Sequence, residues 1–165
     1  MSNFTLTNVY KVDELSPSEF FEHALNMHKK WMLLVKDPIE HFFMHLYTKK
    51  TKRVFVVILH IVETSPLDFA KFVIEKYDPD YYIVLAEGWG KMFAKQKEAQ
   101  DYYENGVWGE VSKMPDRIEV LTAFGRSKDG KNEFTKMFDI IRNEKKEIIE
   151  LKETGEGKIF TRKLP

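Results

Sequence analysis

The chain contains no cysteine. That absence excludes disulfides, thiolate zinc sites and cysteine nucleophiles together. Glutamine is nearly missing as well, with only Gln96 and Gln100, while Lys and Glu are abundant, a thermophile-like composition. Neither sign of charge is in excess, since 26 Lys and Arg balance 26 Asp and Glu. A nucleic-acid surface usually shows as a basic surplus, so nucleic acid is not an expected partner. Long apolar runs are lacking too. The longest covers residues 54–59, with Ile61 and Val62 beyond His60, far short of the roughly 20 residues of a membrane helix. Residues 1–15 carry neither a basic stretch nor an apolar core of the secretory kind. The expectation is a soluble cytoplasmic protein without a membrane partner. Phosphate-binding glycine loops, the Gly-x-Ser-x-Gly elbow and His-Glu-x-x-His are all absent.

What is present is enough for one real core: 165 residues, 43% hydrophobic, 13 of them phenylalanine. Ser16-Pro17-Ser18-Glu19 is a helix start, with serine as N-cap, proline in the first turn and Glu19 closing a capping box. Phe20, Ala24, Met27 and Trp31 follow at helical spacing, Phe21, Leu25 and His28 beside them, until Asp37-Pro38 breaks the pattern. Residues 41–48 and the β-branched, aromatic run 53–62 flank a polar turn and predict a β-hairpin. Ser65-Pro66-Leu67-Asp68 repeats the helix-start signal, Asp78-Pro79-Asp80 ends that helix, and residues 81–86 form the next strand. Strand, helix, strand is the order of a crossover, so these two strands are expected to pair in parallel.

Residues 90–114 carry little core pattern and read as a polar and aromatic excursion. Strands are then expected at 117–125, 133–142, 146–153 and 158–163, with Asp129-Gly130 as a hairpin turn. The whole chain, 1–165, reads as a single α+β domain: a mixed, mainly antiparallel sheet of about seven strands with two main helices.

Three groups of residues carry candidate chemistry. In the first, the apolar strand 81–86 stops at Glu87-Gly88-Trp89, which sets a carboxylate at a strand end. Arg117 and Glu119 stand two apart, on one face of a later strand. An arginine beside two acids makes either a structural ion pair or a site whose spare carboxylate binds a metal or acts as a base. Glu-x-Trp closing one strand and Pro-Asp-Arg-x-Glu opening another (Glu87, Trp89, Pro115, Asp116, Arg117, Glu119) resembles uncharacterised proteins of microbes, their viruses and plasmids. That resemblance carries no activity with it; it implies that these residues form one site.

In the second, Asp139 lies on one strand of an expected hairpin and Glu150-Leu151-Lys152 on its partner. This pattern resembles the core of the PD-(D/E)xK nucleases, although no proline precedes Asp139. The resemblance implies that Asp139 and Glu150 hold a divalent metal such as Mg²⁺ while Lys152 helps to activate water. In the third, Trp89, Phe93, Tyr102, Tyr103 and Trp108 form an aromatic set suited to stacking or to a protein interface. Among the histidines, His41 and His45 share a metal on a helix but stand about 13 Å apart on a strand. His60, near the end of a core strand with Glu63 beyond, fits either a ligand or a hydrogen-bonded core residue.

Three functions follow. A non-enzymatic binding or assembly protein, working as a homo-oligomer or with another protein and needing no cofactor, fits the neutral charge and the aromatics. A small metal-dependent hydrolase or nuclease would use one of the acidic groups. An anion- or small-ligand-binding regulatory module would use Arg117.

Overall fold

The computed structural model describes residues 4–11, 15–36, 42–59, 66–90, 97 and 118–153. These form β1 (Phe4–Lys11), α1 (Pro17–Val35), β2 (Phe42–Thr48), β3 (Arg53–Leu59), α2 (Pro66–Tyr77), β4 (Tyr81–Gly90), β5 (Ile118–Ser127), β6 (Glu133–Arg142) and β7 (Ile148–Glu153). The fold is α+β: two helices and one seven-stranded sheet, in the order β1-β3-β2-β4-β5-β6-β7. Every neighbouring pair is antiparallel. No described helix is long and apolar enough to cross a membrane.

Local chemistry accounts for the helix ends. Ser16 caps α1 by accepting from the Glu19 N–H at 3.3 Å, with Pro17 in the first turn. At the other end Lys36 takes the left-handed conformation, φ 64°, and donates its N–H to Met32 O. Lys36 is not a glycine, the usual residue there, and its carbonyl accepts from Ile148 N at 2.9 Å, which ties the helix end to the start of β7.

The two helices cover opposite faces of the sheet. Phe20, Phe21, Ala24, Leu25 and Met32 of α1 pack with Phe43, Tyr47, Val54, Ile83, Leu121, Phe138 and Ile148. Phe69, Ala70 and Val73 of α2 pack with Phe42, Met44, Leu46, Val57, Leu59 and Val84. Alternate residues of β2 and β4 thus enter different clusters, as the two-residue repeat of a strand requires. Being covered twice, β2 is buried from Phe42 to Tyr47 without a break. At Gly125 of β5 the α1 layer comes so close that an added Cβ would lie 2.6 Å from Phe21 Cδ1, and the Phe21 ring stacks on Phe134.

Three expectations change. The strands on either side of α2 run the same way but do not pair, because β2 lies between β3 and β4 and is antiparallel to both. A crossover has only to return the chain in the same direction, and skipping one strand lets the most deeply buried strand be paired on both edges. Strand β4 runs on through Glu87, Gly88 and Trp89, which pair with Leu121, Val120 and Glu119. Glu87 therefore sits inside a paired strand rather than at an open end. Strand β1, unforeseen, pairs with β3, while the strand expected at 158–163 lies outside the described residues. The Asp129-Gly130 hairpin is as expected: Gly130 has φ 73°, and Asp129 Oδ1 accepts from Ser127 Oγ and Lys131 N.

Candidate functional site

Strand parity decides which candidates share a face. Glu87 and Glu119 both point to the α1 side, diagonal to one another, since Glu87 faces Leu121 and Glu119 lies two residues before it on β5. Both carboxylate oxygens of Glu87 are buried. Glu119 has a partner that was not foreseen. Arg142 on β6 grips it with two prongs, Nε to Oε2 at 2.7 Å and Nη2 to Oε1 at 2.6 Å. The same guanidinium donates from Nη1 to Lys146 O at 2.6 Å, so it ties β5, β6 and the turn before β7 together. Each oxygen of this carboxylate thus accepts one charge-assisted bond from the guanidinium, the geometry of a strong two-pronged ion pair. Arg117 lies outside the described residues. So do Phe93, Tyr102, Tyr103, Trp108, His41 and His60; Trp89 is placed by its backbone alone.

The second group is assembled by the β6–β7 register. Asp139 pairs with Lys152 and Ile141 with Glu150, which puts Asp139, Glu150 and Lys152 on one face, away from α1. Asp139 Oδ1 is buried and accepts no hydrogen bond, whereas Glu150 and Lys152 are exposed. None of the ion pairs among the described residues involves these three side chains. No group of three or more His, Asp or Glu among the described residues is arranged to hold a metal ion. A metal here would rest on two carboxylates with Lys152 beside them.

A third feature escaped the sequence reading. His28 of α1 and His45 of β2 are both buried in the α1 layer. The ring of His28 lies against Phe43 at 4.7 Å and Trp31 at 5.6 Å. Burial, with His45 as a second influence, lowers the pKa of His28 to about 3. Burial, with His23 next, lowers that of His45 to about 4. Both imidazoles are therefore neutral at pH 7. Their signal in the sequence was positional: His28 follows Phe21 and Leu25 on the buried helical face, and His45 alternates with Phe43 and Tyr47.

A corner of the molecule carries the remaining feature of note. Leu33, Leu34 and Val35, in the last turn of α1, are 38%, 81% and 37% exposed, and Ile149 of β7 is 56% exposed. The Lys36–Ile148 hydrogen bond joins the end of the helix to the start of β7, the strand that carries Ile149. Comparison of the chain with protein-family models, with curated proteins and with solved structures finds no match in any of the three.

Proposed function

We propose that this chain is a binding or assembly protein that works as a homo-oligomer. The observation that carries the reading is the exposure of Leu33, Leu34, Val35 and Ile149 on two elements, the end of α1 and edge strand β7, that the Lys36–Ile148 bond joins. Single exposed apolar residues are ordinary, but a group of them beside a strand edge is typical of an interaction surface. The two-pronged Arg142–Glu119 pair supports the same reading, because it turns one candidate catalytic acid into a structural tie. Sedimentation of the full chain should give a mass above the 19.6 kDa of one copy. Leu34→Glu, at a side chain already in solvent, should lower that mass without lowering stability. A mass of one copy at all concentrations would sink the proposal.

A second reading has its own observation, the register that puts Asp139, Glu150 and Lys152 on one face with a carboxylate oxygen lacking a hydrogen bond. In that reading Asp139 and Glu150 would hold a divalent cation that polarises a water, with Lys152 placed to stabilise the hydroxide. A cation that binds only the folded state raises the melting temperature. Mg²⁺ or Mn²⁺ should then raise it in the native chain and not in Asp139→Asn. Equal shifts in both would remove the site.

A further inference from the structure

Building on the homo-oligomer reading, we infer that two copies join by antiparallel pairing of β7 with the β7 of the second copy, about a twofold axis through Leu151. Strand β7 is an outer strand of the sheet, with β6 as its one neighbour among the described residues. The backbone of an edge strand carries donors and acceptors on its outer side that another strand can satisfy. The bulge at Ile149 interrupts the pairing with β6, and residues 150–153 beyond it are regular.

The order of charges selects the register. Around a twofold axis at Leu151, residue 150 of one copy faces residue 152 of the other, and the same pair recurs on the far side of the axis. In this chain that sets Glu150 against Lys152 twice. Moving the axis to Glu150 sets glutamate against glutamate, and moving it to Lys152 sets lysine against lysine. Opposite charges facing across strands stabilise and like charges destabilise, so one register is favoured and its neighbours are opposed. Both side chains are exposed, and neither is in an ion pair among the described residues.

The two faces of the seam then differ in character. On the side away from α1 lie the two Glu150–Lys152 pairs. On the α1 side Leu151, which packs against the α1 core, meets its own copy. The partner is a second copy of this chain because the strand is complementary in charge to itself, the property an isologous contact demands.

The test is a charge exchange on the full chain, followed by sedimentation at low ionic strength. Glu150→Lys and Lys152→Glu, each alone, should weaken self-association about tenfold or more, since each sets like charges against each other at two places. The double variant E150K/K152E should restore it. Mixing the two single variants should give a mixed dimer, because their seams are complementary. Circular dichroism on each variant checks that folding is intact. Self-association that ignores both single reversals, or is not regained by the double variant and the mixture, overturns the β7 seam but leaves the homo-oligomer reading standing. A native chain that stays single at every concentration overturns both, leaving the edge to residues 154–165 or to a different protein.

Discussion

The two halves of the sheet are covered differently. Strands β2, β3 and β4 lie between α1 and α2, and their side chains enter cores on both faces. Strands β5, β6 and β7 send one face to α1, and neither described helix packs over most of the other. The burial patterns follow. β2 is buried at six successive residues, whereas β5 alternates buried and half-buried positions from Leu121 to Ser127. A strand clamped on both faces has little room for groups that exchange protons or ligands with solvent. The second half holds Asp139, with one carboxylate oxygen buried, beside the exposed Glu150 and Lys152, and it ends in the edge that self-association would use.

The contrast is most directly broken by matched truncations. Leu46→Ala, in the half covered twice, should lower the free energy of unfolding by about 3–5 kcal/mol, since it opens a cavity beneath α2. Ile141→Ala, half-buried on the face away from α1, should lower it by less than half as much. Urea unfolding measures both, and equal losses would mean that the two halves are held with equal force.

The buried histidines probe the α1 layer in a different way. Their folded-state values, about 3 for His28 and about 4 for His45, lie below the ordinary 6.5. As pH falls below about 6.5 the unfolded chain takes up protons that the folded chain does not. Stability is therefore full above about pH 6.5 and declines from there towards pH 4, by up to about 1.4 kcal/mol per pH unit for each histidine. Unfolding curves at pH 7, 6 and 5 should show this slope, and His45→Leu should flatten it. An unchanged slope in that variant would remove His45 from the account.

A smaller effect is expected where α1 touches β5. Gly125→Ala pushes a methyl group against the Phe21 ring and should cost about 1–3 kcal/mol. Smallest of all, Lys36→Gly should raise stability by up to about 1 kcal/mol, because glycine takes the left-handed cap without strain. A loss there would show that the Lys36 side chain, 4.0 Å from Glu147, contributes more than its backbone costs.

Much of the fold was legible because its signals are local. Ser16-Pro17 and Ser65-Pro66 announced both helices, and the apolar run beginning at Arg53 announced β3. Asp129-Gly130 announced the β5–β6 turn. The joining of Asp139 with Lys152 was legible too, since the short turn after Arg142 leaves little choice of partner. The Arg142–Glu119 pair was not, because it depends on the phase of two separate strands. The insertion of β2 between β3 and β4 was equally hidden, because strand order is a competition among all the edges available. Strand β1 was overlooked although Thr5 and Thr7 alternate with Phe4 and Leu6, a pattern too short to stand out before its partner β3 is known.

By itself, then, the order of residues determined where most helices and strands begin, which face of each is apolar, and that these residues carry no cysteine for disulfides or thiolate chemistry. Capping, turn preference and periodicity act within a few residues and need no distant partner. The tertiary structure alone decided that the helices lie on opposite faces, that Glu119 is spent on Arg142, that two histidines are buried together, and that the Glu-Leu-Lys of β7 stands at an edge. Those outcomes depend on which surfaces meet, and residues far apart in the chain settle that together by burying the most apolar area while pairing the most backbone.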